Sequence, residues 1–152
     1  MTAIHDFDLR YDNRVLAFHA VINTDLDPYV LTKQIGRAIR GSQNEAIACW
    51  VEKPSDGSAI WRDTWQERNP QSPVPVLQHN GSVFACHVFI NTDRDAYHIH
   101  KAVLRIARGP RLNACIVWSE LYEGEDGHKV WTAIQQFAVK AHASPRAVPF
   151  RL

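Results

Sequence analysis

VLAFHAVINTDLDPYVLTKQIGRAIRG, residues 15–41, returns 68 positions later as VFACHVFINTDRDAYHIHKAVLRIARG, residues 83–109. Over the ungapped stretch that pairs residues 9–53 with 77–121, 17 of 45 pairs are identical. Average composition gives about 3 identities by chance. The sequence therefore predicts a tandem duplication whose two copies pair with each other and share one hydrophobic core.

Each copy predicts the unit ββαββ. Turn signals at Asp12-Asn13 and Asn80-Gly81 separate a short strand (7–11; 75–79) from a longer one (14–22; 82–90). The helix that follows has Asp27 or Asp95 as its N-cap and ends at Gly41 or Gly109. A third strand (45–53; 113–122), an Asp-Gly turn and a fourth strand (58–65; 128–137) complete each copy.

These elements predict one α+β domain that spans residues 1–152. We expect two repeats, at about 7–68 and 75–137, related by a pseudo-two-fold axis, and a C-terminal tail at 138–152. The helices should lie on one face of a single antiparallel sheet, or of two packed sheets. The tail, rich in Pro and Arg, is expected to be a disordered end or a strap on a neighbouring subunit, so homo-oligomers are compatible with the sequence.

Composition excludes several classes of protein. Seventeen Lys and Arg against 16 Asp and Glu give a net charge of +1, so no overall field attracts nucleic acid or an anionic membrane. Cys49, Cys86 and Cys115 lie in apolar runs without CxxC spacing, which predicts buried, reduced thiols. The sequence has neither a signal peptide pattern nor an apolar stretch of about 18 residues, so we expect a cytoplasmic protein.

His19 and His87 occupy the same position in the long central strand of each copy. This placement resembles that of the two-histidine phosphoesterases, in which two lobes each supply a catalytic His, and it implies a phosphodiester hydrolase with His19 and His87 as acid and base. In that family a Ser or Thr follows each His by two residues, whereas here those positions are Val21 and Phe89. The other interpretation is a pair of histidines hydrogen-bonded within the core.

The third strands repeat Trp50 and Glu52 as Trp118 and Glu120. With the histidines on the same face, each half would offer His, Trp and Glu together. Paired His and Glu resemble the metal site of the vicinal oxygen chelate proteins, but the position of that family's metal-binding Glu is Trp61 or Trp131 here. We therefore expect neither a metal nor a cofactor, and interpret His19, His87, Trp50, Trp118, Glu52 and Glu120 as candidate ligand-binding residues.

The outer faces of the two helices repeat a tyrosine and three cations at spacings of four, four and three. Such a face suits an acidic protein partner or nucleic-acid phosphates, although it is also typical of a solvated helix surface. Nucleic acid is not favoured at this stage. The candidate partner or phosphate-binding residues are Lys33, Arg37, Arg40, Lys101, Arg105 and Arg108.

Five tryptophans, at positions 50, 61, 65, 118 and 131, are predicted to lie on the third and fourth strands around a common groove. Aromatic grooves suit planar ligands. The leading hypothesis is therefore a non-catalytic binding protein that holds a small planar or anionic ligand, such as a nucleotide, at the pseudo-two-fold axis. The alternatives are a protein-interaction module, such as an inhibitor or assembly subunit acting through the basic helix face or the tail, and the two-histidine hydrolase.

Overall fold

The computed structural model describes residues 11–41, 45–79, 82–109, 113–142 and 147–151. A short 3-10 turn at Tyr11–Asn13 opens the described chain. The elements that follow are β1 (Val15–Asn23), α1 (Pro28–Ile39), β2 (Ala46–Glu52), α2 (Gly57–Arg68), β3 (Val83–Asn91), α3 (Ala96–Arg108), β4 (Ala114–Tyr122), α4 (Gly124–His142) and β5 (Ala147–Arg151).

The strands form one antiparallel sheet in the order β4-β1-β3-β2-β5, which confirms the α+β class. Each of the units β1-α1-β2 and β3-α3-β4 leaves a gap between its two strands, and a strand of the other unit fills it. This interlocked arrangement is the split βαβ, or ferredoxin-like, topology. In the described part of the chain, no helix is both long enough and apolar enough to cross a bilayer.

The register of the sheet brings the repeated residues together. His19 lies opposite His87 at the middle of the β1–β3 pairing. On the outer sides of this pair, His19 lies opposite Trp118 of β4, and His87 lies opposite Trp50 of β2. The two outer pairings therefore have equivalent registers, because a shift of 68 residues converts His19 and Trp50 into His87 and Trp118.

One face of the sheet packs against α1 and α3. Alternate residues of β1, such as Leu16 and Phe18, meet Ile35 of α1 and Val103 of α3 in the largest buried cluster. Strand alternation on the sheet and three- to four-residue spacing on each helix produce this apolar contact. The predicted placement of these two helices on one face is correct.

The ends of α1 and α3 are set by capping groups. Asp27 and Asp95 are the N-caps, as predicted: the Asp27 carboxylate accepts from the backbone N–H groups of Tyr29 and Val30, and that of Asp95 from Tyr97. Gly109 caps the end of α3 with a φ of 63°, which favours glycine. The first helix ends at Ile39 rather than at Gly41, since the backbone of Arg40 is extended, and the Arg94 guanidinium donates to the Ile39 carbonyl.

The other face of the sheet carries α2 and α4, and here the predicted fourth strands at 58–65 and 128–137 are wrong. Both segments are helical. Asp56 of the expected Asp-Gly turn instead caps α2, since its carboxylate accepts from the backbone N–H of Ala59 at 3.1 Å. The helices cover opposite ends of the face, with Trp61 of α2 packed near Val21 and Trp131 of α4 near Val15.

The prediction of ββαββ units also fails at the first strand of the second copy. Residues 75–79 form no strand, although the Asn23 side chain holds the backbone N–H groups of Gln78 and His79. In the first copy Tyr11–Asn13 is a 3-10 turn, and residues 7–10 and the Asn80-Gly81 turn lie outside the described residues. In place of the predicted ββαββ, each copy contains the order βαβα.

The C-terminal segment differs from the expected disordered end or strap. Helix α4 continues to His142, and residues 147–151 form β5, which pairs with β2 of the same chain. Strand β2 is therefore flanked on both sides, by β3 and β5, whereas β4 is an edge strand of the described sheet. This difference bears directly on the candidate site.

A buried polar link joins each half to the other. Glu45 accepts a hydrogen bond from the Thr92 hydroxyl and pairs with the Arg94 guanidinium at 2.8 Å. At the equivalent positions, the Asn113 amide donates to the Thr24 hydroxyl at 3.1 Å. The position equivalent to Arg94 is Leu26, so one link is charged and the other is neutral.

Candidate functional site

His19 and His87 meet at the middle of the sheet face that carries α2 and α4. Their Nδ1 atoms are 2.9 Å apart, within hydrogen-bonding distance. The sequence placed both histidines at matching positions, and the antiparallel register turns that match into a direct contact. The side chains are 14% and 24% exposed, respectively, so the pair is accessible at its outer edge but largely surrounded by protein.

A glutamate side chain lies next to the outer nitrogen of each histidine. Glu120 Oε1 lies 3.0 Å from His19 Nε2, and Glu52 Oε2 lies 3.4 Å from His87 Nε2. The four side chains thus form the series Glu120, His19, His87, Glu52, which we call the histidine chain. All the predicted His and Glu ligand-binding residues therefore belong to one cluster.

Proton counting assigns the donors in the histidine chain. A neutral imidazole carries one N–H, so two neutral rings supply protons for only two of its three hydrogen bonds. All three bonds form when one ring is an imidazolium. A second imidazolium would point one Nδ1–H at another and break the central bond.

The pKa shifts indicate which ring stays neutral. Burial lowers the pKa of His19, and His87 and Arg68 lower it further, although Glu120 opposes them. The hydrogen bond from His87 lowers the pKa of Glu52, against the effect of burial. The lowered pKa favours neutral His19, whose Nε2–H can donate to Glu120.

Aromatic rings flank the histidine chain and pack against other rings of the protein. Trp50 lies between Phe89, stacked at 5.5 Å and 13°, and His87, at 5.3 Å. It is only 6% exposed. Trp118 packs in the same way against His19, at 5.3 Å, but is half-buried rather than buried.

The two halves of the site differ in access. Over the Trp118 ring lies the Arg68 guanidinium, 4.3 Å from the ring centroid, which comes from the last turn of α2. Glu120 beside it is 47% exposed, against 36% for Glu52. We call the residues around Trp118, Glu120 and Arg68 the open half of the site.

Tyr122 borders the open half at the end of β4. Burial raises the pKa of its hydroxyl, and the neighbouring Glu120 carboxylate raises it further. Tyr122 therefore keeps its proton and donates a hydrogen bond to Glu120, which is the anionic acceptor of the open half. Arg68 supplies the cation.

The sequence predicted that the tryptophans lie on strands around a common groove, but the remaining three do not. Trp61, Trp65 and Trp131 lie in helices, where Trp61 stacks on Trp65 at 6.0 Å and Trp131 is buried against the sheet. Two residues of the site, Phe89 and Arg68, were missed. Phe89 follows His87 by two positions and so shares its face, a signal present in the sequence, whereas the position of Arg68 depended on recognising α2 as a helix.

The described side chains were considered as possible metal ligands. Within the described ranges, no three His, Cys, Asp or Glu side chains are grouped so that they could hold a metal ion. The three cysteines are free thiols, with Cys49 and Cys86 buried and Cys115 half-buried. The hydrogen bond that the Cys49 thiol donates to Cys86, together with burial, raises the pKa of Cys49 well above its usual value.

The basic helix residues lie on the opposite side of the molecule from the histidine chain. Arg37 and Arg105 line an open groove of about 590 Å³ between α1 and α3, together with Gln34, Ala38, Ile106 and Gly109. Lys33 and Lys101 lie over the rings of Tyr29 and Tyr97, at 5.1 and 5.2 Å. Arg40 is exposed after the end of α1, and Arg108 interacts with the Cys115 thiol.

The chain matches no protein-family model, and no curated protein or solved structure matches it.

Proposed function

We propose that this is a non-catalytic binding protein that holds a small planar, anionic ligand, with nucleotides as the class to test first, at the open half of the histidine site. The observation that carries the proposal is the Arg68 guanidinium over the half-buried Trp118 ring, 4.3 Å from its centroid. A planar cation already occupies the surface that a planar ligand needs. A flat ligand ring can take its place on Trp118 and leave Arg68 free to pair with an anionic group.

The other groups of the open half suit the polar edges of such a ligand. The Glu120 carboxylate is half exposed and accepts hydrogen bonds, as required by amino groups of a base or hydroxyls of a sugar. Its hydrogen bond to His19 fixes its orientation. The half around Trp50 and Glu52, which we call the closed half, offers a ligand less accessible surface, because Trp50 is buried between two rings.

We also propose that the fold arose by duplication and that the open half of the site adjoins its pseudo-two-fold axis, which passes between His19 and His87. Equivalent strand registers, the meeting of His19 with His87, and the matching links Glu45–Thr92 and Asn113–Thr24 all support this symmetry. A duplicated site would begin with two equal halves. In the described sheet β5 pairs with β2 whereas β4 is at the edge, which leaves the half around β4 more open to a ligand.

Binding fits the geometry better than phosphodiester hydrolysis does. A substrate oxygen would have to lie between His19 and His87, yet their Nδ1 atoms are already hydrogen-bonded at 2.9 Å. Each Nε2 atom faces a glutamate. Turnover of a cyclic or linear phosphodiester that is lost in a His19→Ala, His87→Ala double mutant would favour the hydrolase instead.

Thermal shift against a panel of nucleotides tests the binding proposal. A ligand at 100 times its Kd stabilises the native state by about 2.7 kcal/mol, which raises Tm measurably. Calorimetric titration of Glu120→Gln should then show weaker binding, whereas Glu52→Gln, the matched change in the closed half, should bind like the wild type. Silence across the panel would contradict the nucleotide proposal, and equal losses in both variants would contradict its assignment to the open half.

A further inference from the structure

The outer surface of α1 and α3 carries a regular series of side chains that the ligand site does not use. Tyr29, Lys33 and Arg37 follow one another at intervals of four residues along α1, and Tyr97, Lys101 and Arg105 repeat them along α3. Residues four apart lie on the same helix face. We call these six side chains the basic stripe.

The topology of the sheet arranges the two arms of the stripe end to end. Strands β1 and β3 are antiparallel, and the helix after each runs back along it, so α1 and α3 are also antiparallel. Arg37 and Arg105 line the same groove, which puts the two arginines at the centre. Each arm then extends about 12 Å outwards to its tyrosine, at 1.5 Å per residue.

The charges of the stripe are not neutralised by the rest of the described structure. None of its four cations forms an ion pair with a described residue, whereas Arg62 and Arg94 each do. Arg37, Lys101 and Arg105 are exposed, and Lys33 is half-buried. Four cations that have no ion-pair partner among the described residues, spaced along the stripe, are complementary to a chain of anionic groups.

The tyrosines distinguish between kinds of anionic chain. Tyr29 and Tyr97 are 53% and 62% exposed, so part of each ring is accessible to a ligand. A lysine ammonium lies over each ring, at 5.1 and 5.2 Å. An aromatic ring beside a cation is the arrangement that stacks an unpaired base while neutralising its phosphate. An acidic peptide would use the cations but has no planar group for the tyrosines.

We propose that the basic stripe binds single-stranded nucleic acid, with the phosphates along Lys33, Arg37, Arg105 and Lys101 and a base stacked on each tyrosine. A duplex is disfavoured because its bases are not free to stack on Tyr29 and Tyr97. This site is independent of the nucleotide site, since it lies on the other side of the sheet. The strand sequence is not selected, because stacking accepts any base.

Fluorescence anisotropy with a labelled oligothymidylate of about 12 nucleotides tests the proposal. Neutralisation of four phosphates by the stripe predicts that log K falls with log [salt] with a slope of about −2.8, at 0.7 per phosphate on a single strand. Arg37→Ala, Arg105→Ala should reduce the slope by about 1.4. Arg62→Ala, Lys129→Ala removes the same charge from exposed positions on α2 and α4 and should leave the slope unchanged.

A second pair of changes separates a nucleic-acid site from a general polyanion site. Tyr29→Ala, Tyr97→Ala keeps all four cations and should weaken oligothymidylate binding at least five-fold through lost stacking. Binding of oligoglutamate of equal charge should not respond to these changes. Circular dichroism and Tm confirm that each variant is folded.

Three results would overturn the proposal. The first is no binding by the wild type at low salt. The second is an equal loss of slope in the Arg37, Arg105 and the Arg62, Lys129 variants. The third is undiminished binding after removal of Tyr29 and Tyr97, with oligoglutamate displacing the strand at equal charge, which would identify an acidic protein segment as the partner.

Discussion

Replacement of Arg94 by leucine should destabilise the protein by about 3 kcal/mol, and a second replacement elsewhere should restore most of the loss. The Glu45 side chain is 1% exposed and pairs with Arg94 at 2.8 Å. Removing one partner of a buried pair costs about 3–5 kcal/mol, because the remaining charge loses its compensation. We expect the lower end of this range, since Arg94 is itself 36% exposed.

The other half of the molecule shows how to restore stability. There Asn113 and Leu26 stand where Glu45 and Arg94 stand, and Asn113 donates to Thr24 without any charge. The double mutant Glu45→Asn, Arg94→Leu copies this neutral arrangement. It should be about 2 kcal/mol more stable than Arg94→Leu alone, because the carboxylate left without its counter-charge is gone.

Urea unfolding of the wild type, both single mutants and the double mutant gives the coupling free energy. Equal m-values across the four proteins would confirm that the unfolding transition is comparable. The converse change is a matched control: Asn113→Glu buries a carboxylate without a counter-charge, and Leu26→Arg should partly rescue it. If the double mutant is no more stable than Arg94→Leu, the two links are not structurally equivalent and the reasoning is refuted.

Two further predictions concern the histidine chain and α2. Because the pKa of His19 is lowered in the folded protein, the unfolded chain binds a proton there first, so the free energy of unfolding should fall as pH decreases below about 6.5. Uptake of one proton changes the free energy of unfolding by at most about 1.4 kcal/mol per pH unit. Urea unfolding from about pH 8 to pH 5 should show this contribution in the wild type and not in His19→Gln. Identical pH profiles of the two proteins would contradict the assignment to His19. Asp56→Ala should cost about 1 kcal/mol because it removes the N-cap of α2, whereas Asp63→Ala at an exposed position of the same helix should change stability by less than about 0.5 kcal/mol; equal effects would count against the cap.

Six of the main elements were predictable because their signals are local. Strands β1 and β3 are long apolar runs, and α1 and α3 combine an N-cap aspartate with residues such as Leu31 and Ile99 at helical spacing. The missed helices α2 and α4 have weaker signals. Asp56 before Gly57 is typical of a hairpin turn as well as of an N-cap, and only Trp61 and Gly57 are buried in α2, too few to define a helical face from sequence.

The composition of the site was predictable, but its connections were not. The internal sequence repeat identified His19, His87, Glu52 and Glu120 as residues to consider together. Their hydrogen bonds depend on strand register, and a shift by one residue would have turned every side chain to the other face of the sheet. The different burial of Trp50 and Trp118 could not be predicted from the sequence, because it arises from β5 and α4, which pack next to β2 and Trp50.

Access to the histidine site is controlled by the edges of the sheet. Both repeats supply a His, a Trp and a Glu to the site, so these residue types alone would give two equal halves. Strand β5 pairs with β2, and α4 packs near Trp50, whereas β4 is the edge of the described sheet. The Trp and Glu side chains are therefore more exposed on β4 than on β2. A ligand that contacts Glu120 but not Glu52 is the direct consequence, which makes the Glu120→Gln and Glu52→Gln pair the most informative comparison for function.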